Sequence, residues 1–188
     1  MDPFEYVIVL TSLILGLGIT QVLVGVADVI TNKNIKWSLP HGLMTLLIFF
    51  TMIQEWWETY KYSFLVKEWT LILVMVLMIY PIILFVGARV LFPYEKIEIE
   101  DVDLEQYYWK KWPVLFTVGL LTAIISIWQN YLYEHISLYN QIFPQITLAV
   151  IYCVFLFRNI TNRVVHITFL SLELVAWIVY VIQEDFTI

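Results

Sequence analysis

The sequence predicts an all-α integral membrane protein, a bundle of six transmembrane helices. The prediction depends on the composition, on six long apolar segments and on where the aromatic residues lie. Of 188 residues, 61% are hydrophobic and 14% are charged, and the mean hydropathy is +0.82. Soluble domains are about half apolar and about a quarter charged. One soluble core cannot bury so much apolar material, and the composition also excludes disordered and disulfide-scaffold classes.

Six segments are long enough, or nearly so, to cross a hydrocarbon core of ~30 Å, which needs about 20 helical residues. They are residues 5–30, 39–58, 69–92, 112–133, 143–160 and 164–182. A proline at a helix start sacrifices no hydrogen bond. Such prolines at or just before a predicted start are Pro3, Pro40, Pro113 and Pro144. Pro81 lies inside the third segment, where we expect a kink.

Tryptophan and tyrosine mark the ends of these segments, as expected for amphipathic rings at membrane interfaces. The residues at predicted ends are Trp37, Trp56, Trp57, Trp69, Trp109, Trp112, Tyr60, Tyr62, Tyr107, Tyr108, Tyr131 and Tyr133. This belt supports the division into spans.

The basic residues predict the orientation. One side of the predicted membrane receives Lys33, Lys36, Arg89, Lys96, Lys110, Lys111, Arg158 and Arg163, and the other receives Lys61 and Lys67. The positive-inside rule makes the first side cytoplasmic, so both termini lie outside the cytoplasm. No basic region or cleavage site precedes the first span, which we interpret as an uncleaved anchor. We expect a multi-pass protein of a bacterial inner membrane.

A hydrophilic segment, residues 93–111, divides the single domain 1–188 into two halves of three spans. The segment is rich in acidic residues and falls on the cytoplasmic side. We expect a solvated loop or a docking site for a basic cytoplasmic protein. Two three-span halves in tandem have opposite orientations, so an inverted repeat, as found in transporters, is a further hypothesis.

Polar side chains inside the spans must face protein or water. One face of the first span carries Gly18, Gln21, Gly25 and Asp28, and one face of the fourth carries Gly119, Thr122, Ser126, Gln129 and Tyr133. The glycines indicate close helix packing. The polar members suit either a hydrated path or a ladder of hydrogen bonds between helices.

Glu173 is the main functional candidate. It lies ten residues from Arg163, hence ~15 Å along the helix and near the bilayer centre. An ionised acid there costs at least ~2.5 kcal/mol, so it is protonated, paired or hydrated. His166 and Tyr180 are each seven residues away and share its face. We predict a proton carrier or cation ligand; the alternative is a neutral acid that donates to a neighbour.

The other titratable side chains cluster at two depths. Near the cytoplasmic surface are Asp28, His41, Arg89, Arg158 and His166, and near the outer surface are Glu55, Glu58, Glu134 and His135. With Glu173 between them, these groups resemble a proton or cation relay. Interfacial hydration explains the two outer groups equally well.

The sequence has none of the common catalytic or cofactor-binding motifs: it lacks a phosphate-binding glycine loop, HExxH, CxxC and GxSxG. We predict no cofactor and no metal, with haem bound by His41 and His166 as the alternative. The net charge of −6 argues against a nucleic-acid partner. Cys153 is alone, so it forms no internal disulfide.

Three short segments carry a resemblance. They are Pro3-Phe4-Glu5-Tyr6-Val7, Leu15-Gly16-Leu17-Gly18-Ile19-Thr20-Gln21 and Gln54-Glu55-Trp56-Trp57. Together they resemble a family of small polytopic bacterial membrane proteins of uncharacterised activity. The resemblance covers mainly the first two spans. It implies a bacterial membrane origin and no activity or site.

Three functions remain open from the sequence. The favoured hypothesis is a small transporter or channel for protons, ions or a small solute, centred on Glu173. We expect a homo-oligomer in the lipid bilayer, because six short spans make a thin bundle. The alternatives are a sensor or scaffold that recruits a cytoplasmic protein through loop 93–111, and an intramembrane enzyme or haem protein.

Overall fold

The computed structural model describes residues 3–93, 102–132, 135–141 and 145–183, and most of them are helical. The helices are α1 (Pro3–Thr31), α2 (Leu39–Glu58), α3 (Tyr62–Leu65), α4 (Leu71–Leu91), α5 (Leu104–Leu132), α6 (Thr147–Arg158) and α7 (Arg163–Gln183). A 3-10 turn, Thr59–Lys61, joins α2 to α3. Two short strands, β1 (Ile35–Lys36) and β2 (Val102–Asp103), pair in parallel.

Four of the described helices are long and apolar enough to cross a membrane: α1, α4, α5 and α7. Helix α2 has 20 residues, but polar residues near both of its ends lower its mean hydropathy. Helix α6 has 12 residues, and ~1.5 Å per residue makes it ~18 Å long, short of the ~30 Å core. The structure thus supports an all-helical protein with four membrane-length helices, where the sequence predicts six.

The start of α5 differs most from the sequence prediction. The sequence predicts a loop over 93–111, whereas α5 begins at Leu104. Asp103 Oδ1 accepts hydrogen bonds from the backbone amides of Glu105 (2.9 Å) and Gln106 (3.1 Å), which satisfies two free donors of the first turn. Pro113 therefore lies inside α5, and its predicted position at a helix start is wrong.

Some sequence predictions lie outside the described residues. They concern the acidic stretch 94–101 with Lys96, Tyr133, Glu134 and Pro144.

Helix α2 lies at the centre of the bundle and packs against α1, α4, α5 and α7. Helix α4 packs against α1 and α5, and α6 packs against α5. The apolar core joins these helices through residues such as Leu15, Met52, Leu84 and Phe116. The main backbone neighbour of α7 is α2.

The helix ends gather into two ends of the bundle. At the end that we call the basic end, Ser38 Oγ donates to Glu105 Oε2 (2.6 Å) and Arg163 Nε donates to Glu105 Oε1 (3.0 Å). At the opposite end, the Phe4 ring lies 6.0 Å from that of Trp69. Residues from the starts and ends of successive long helices alternate between these two ends, so those helices run in alternating directions.

Candidate functional site

Glu173 on α7 forms a hydrogen-bonded pair with Tyr152 on α6. The Tyr152 hydroxyl lies 2.7 Å from Oε1 and 3.0 Å from Oε2 of Glu173 and donates to the carboxyl group. Tyr152 is buried, and Glu173 is half-buried. We call these two residues the central pair. It joins two helices whose backbones make few close contacts, so side chains provide much of the link between α6 and α7.

Gly119 on α5 makes room for the central pair. A Cβ atom at this position would lie 2.5 Å from Cζ of Tyr152 and 2.7 Å from its hydroxyl oxygen. Both distances are below van der Waals contact, so only glycine lets the tyrosine lie against α5. The predicted small residue of the fourth span therefore positions Tyr152 for Glu173.

Aromatic rings surround the central pair. The Tyr152 ring packs edge-on against Phe116 (5.2 Å) and Phe169 (5.4 Å). These rings offer no hydrogen bonds to a carboxylate. The hydrogen-bond partner of Glu173 in the structure is therefore a hydroxyl group and not a cation. Burial of an ionised carboxylate without a cationic partner is unfavourable.

His166 lies near the start of α7 and is fully buried, with 0% of its surface exposed. Its Nε2 lies 2.7 Å from the Ile160 carbonyl oxygen, and its Nδ1 lies 2.7 Å from the Tyr108 hydroxyl. The carbonyl can only accept, so Nε2 carries a proton, and in the neutral tautomer Nδ1 accepts from Tyr108. Rings that pack around the imidazole are Tyr108, Trp109, Trp112, Phe116 and Phe155. We call this arrangement the histidine box.

A third polar group joins the end of α2 to α7. Gln54 accepts a hydrogen bond from Trp177 Nε1 (2.5 Å) and donates one to Glu58 Oε1 (2.7 Å). The Tyr180 hydroxyl lies 3.4 Å from the same Glu58 oxygen. Glu55 lies one turn earlier on α2 and is half-buried. We call these residues the outer carboxyl cluster.

Tyr80 on α4 supplies a further half-buried hydroxyl group. It lies within electrostatic range of Glu55 and Glu58 of the outer carboxyl cluster. Tyr152 in turn interacts electrostatically with Tyr80 and with Tyr108 of the histidine box. The three groups lie at intervals along α7, at His166, Glu173 and Trp177, and together with Tyr80 we call them the series.

The sequence analysis identified Glu173, His166, Tyr180 and Glu55 of this series and missed three of its tyrosines. The missed residues are Tyr80, Tyr108 and Tyr152. Two of them carry a signal in the sequence, because Tyr80 and Tyr152 fall within predicted spans and not at the interfacial ends where tyrosine concentrates. Tyr108 carries no such signal, since it falls where the aromatic belt is expected.

Other predicted candidates lie apart from this series. Gln21 Oε1 on α1 accepts from Arg89 Nη1 on α4 at 3.4 Å, and Asp28 is half-buried near the end of α1. Ser126 on α5 is half-buried. Gln129 is buried, with 5% of its surface exposed, and its Nε2 has no hydrogen-bond partner among the residues that the structure describes. That amide is a polar group that a water molecule or a ligand would satisfy.

His41 lies at the start of α2, where it fastens α2 to the end of α4. Its Nε2 lies 2.8 Å from the Leu91 carbonyl oxygen, and its ring packs edge-on against Phe92. In both His41 and His166 one ring nitrogen donates to a backbone carbonyl. Haem ligation by these residues stays a prediction. Iron would bind the other ring nitrogen, and in His166 that nitrogen already accepts a hydrogen bond from Tyr108.

The series consists of groups that can both donate and accept hydrogen bonds. Hydroxyl, protonated carboxyl and neutral imidazole groups each donate and accept hydrogen bonds. Among the residues that the structure describes, no group of three or more His, Cys, Asp or Glu side chains could hold a metal ion. Comparison with protein-family models, curated proteins and solved structures finds no match to this chain.

Proposed function

We propose that this protein moves protons across a membrane, along the side chains that connect Glu55 and Glu58 with His166. The observation that carries the proposal is the central pair, in which a carboxyl group in mid-helix meets a tyrosine of the neighbouring helix. A carboxyl group at this depth is a functional candidate by default. The groups on either side of it extend the path in both directions.

The arrangement favours protons over a larger solute. Two cavities of the described surface, between α5 and α6 and between α1 and α4, have largely apolar linings, and Glu173 lines neither. A proton needs only adjacent donors and acceptors, with water molecules between them where the gaps are wide. Tyr80, Tyr152 and Tyr108 supply such groups on three helices.

We propose that α2 and α6 complete a set of six spans, with the basic end in the cytoplasm of a bacterial cell. Both termini then lie outside, and the membrane is the inner membrane. The support is the distribution of charge. The basic end carries Lys33, Lys36, Arg89, Lys110, Lys111, Arg158 and Arg163, and the opposite end carries Lys61 and Lys67. We also propose that the protein forms a homo-oligomer.

Cysteine labelling tests this topology. In a Cys153→Ala background, Lys33→Cys and Lys67→Cys each place one exposed thiol at one end of the bundle. An impermeant maleimide added to intact cells that lack an outer membrane should label position 67 and spare position 33. Labelling of position 33 from outside would overturn the orientation.

Proton flux into proteoliposomes tests the function. With a potassium potential set by valinomycin and a pH-sensitive dye inside, the wild-type protein should acidify or alkalise the lumen according to the sign of the potential. Glu173→Gln keeps the shape of the side chain and removes its titration, so we expect flux to fall at least tenfold. Tyr152→Phe removes the hydroxyl neighbour and should lower flux less, because water can replace the hydroxyl group.

Glu68→Gln is the matched control, since Glu68 is an exposed carboxyl group in the connection before α4. It should conduct like the wild type. Equal flux in wild type and Glu173→Gln, or no wild-type flux from monodisperse protein, would overturn the proposal.

The second candidate is a sensor or scaffold, and the observation that favours it is the aromatic surroundings of the central pair. In that case Glu173 is structural and the acidic stretch 94–101 recruits a cytoplasmic protein. Deletion of residues 94–101 would then abolish recovery of that protein and leave the fold intact. Unchanged recovery would contradict the scaffold.

A further inference from the structure

We propose that the outward face of α5 and α6 binds one anionic phospholipid from the leaflet at the basic end. A groove of about 320 Å³ runs between the two helices. Helix α6 contributes Ala149, Cys153 and Arg158, and α5 contributes Leu120 and Ile124. The inference requires that these helices lie in a membrane, but it does not require proton transport.

The shape of the groove suits a single acyl chain. Ala149 and Cys153 are one turn apart on α6, and their small side chains leave space between larger neighbours. Arg158 lies nine residues after Ala149, which corresponds to ~14 Å along the helix axis. That is about half of the ~30 Å hydrocarbon core, the depth of one leaflet. A lipid chain in the groove therefore brings its headgroup level with Arg158.

Arg158 supplies the charge that selects the headgroup. The sequence has three arginines; Arg163 contacts Glu105, and Arg89 contacts Gln21. Arg158 is exposed at the last residue of α6 and, within the described parts of the chain, has no hydrogen bond or ion pair. A guanidinium group binds phosphate with two parallel hydrogen bonds. Basic pockets between spans at the cytoplasmic face bind anionic headgroups in this way.

Charge complementarity therefore indicates a lipid as the occupant. The groove is apolar along its length and positive at one end, which matches a fatty chain that ends in a phosphate. The alternative occupant is a second copy of this chain. It would need an apolar ridge for the groove and an acidic residue beside that ridge for Arg158. Association of the two copies would not depend on lipid.

Native mass spectrometry of the full-length protein in detergent tests the proposal. The probes are palmitoyl-oleoyl phosphatidylglycerol and the phosphatidylcholine with the same chains. Wild type should retain the anionic lipid in preference to the zwitterionic one. Arg158→Gln should weaken phosphatidylglycerol binding about tenfold and abolish the preference, as the loss of charge-assisted hydrogen bonds implies. Lys33→Gln removes an exposed charge at the same end, away from the groove, and should bind like wild type.

Ala149→Phe tests the apolar part. The larger side chain fills the groove and leaves Arg158 in place, so both lipids should be lost. Two results would overturn the proposal: a phosphatidylglycerol preference that persists in Arg158→Gln, or wild-type lipid binding by Ala149→Phe. A lipid-free dimer of the wild type that Ala149→Phe dissociates would also overturn it, in favour of a second copy. Proton flux that is unchanged in both variants would leave the transport proposal standing whatever the lipid result.

Discussion

The two halves of the chain hold their helices together in different ways. In the N-terminal half, α1, α2 and α4 all pack against one another. The Met52 side chain of α2 fills the space beside Gly18 of α1. In the C-terminal half, α7 packs its backbone mainly against α2 of the other half. Its links to α5 and α6 include the hydrogen bonds that His166 accepts from Tyr108 and that Glu173 accepts from Tyr152.

This difference explains why the central pair and the histidine box lie in the C-terminal half. Where helix backbones lie close, apolar side chains fill the interface. Where they stay apart, long polar side chains bridge the space, and each must find a partner because lipid supplies none. The inverted repeat expected from the sequence gains no support from the packing, since α1 packs closely against α4 and the corresponding α5 and α7 do not.

The largest expected effect comes from Gly119→Ala, compared with Gly18→Ala in the other half. The new Cβ at position 119 would meet the rigid ring of Tyr152, which is held by Glu173. Overpacking of this kind costs about 1–3 kcal/mol. The Cβ at position 18 would meet the flexible end of Met52, which can move aside, and alanine favours the helix by up to ~1 kcal/mol.

Denaturant unfolding of both variants in detergent micelles measures the difference. We expect Gly119→Ala to be destabilised and Gly18→Ala to be near wild type. Equal losses at the two glycines would mean that the halves do not differ in this respect. A stable Gly119→Ala would mean that Tyr152 has room to leave the central pair.

The sequence predicts most helix positions because hydropathy depends on local composition. It singles out Glu173 as a candidate because an acidic residue in a span is rare. It could not predict that Tyr152 is the partner of Glu173, since that contact joins residues of different helices. The start of α5 was also beyond prediction from hydropathy. Trp109 and Lys110 look interfacial in the sequence, yet Asp103 starts the helix before them through its hydrogen bonds.

An effect of similar or smaller size is expected from Tyr108→Phe, compared with Thr11→Val in the N-terminal half. Tyr108→Phe leaves Nδ1 of the fully buried His166 without its partner, and an unsatisfied buried group costs about 1–3 kcal/mol. Thr11 donates to the sulfur of Met78 at 3.9 Å, and a thioether is a weak acceptor. Thr11→Val should therefore cost well under ~1 kcal/mol.

The same unfolding titration compares these two variants. His166→Phe in the Tyr108→Phe background removes the orphaned nitrogen and should recover part of the loss. A loss from Thr11→Val as large as that from Tyr108→Phe would contradict the view that hydrogen bonds matter more in the C-terminal half.

The smallest effect is expected where the two halves meet at the basic end. Glu105 of the C-terminal half accepts from Ser38 of the N-terminal half and from Arg163. The side chains of Arg163 and Glu105 are 58% and 30% exposed, so water competes for this ion pair. Arg163→Gln should cost no more than about 1 kcal/mol. The loss should shrink further at ~1 M salt, where the screening length is ~3 Å. Unfolding at low and high salt checks this, and a loss above ~2 kcal/mol that salt does not change would mean that the pair joins the halves as firmly as the histidine box joins α7 to α5.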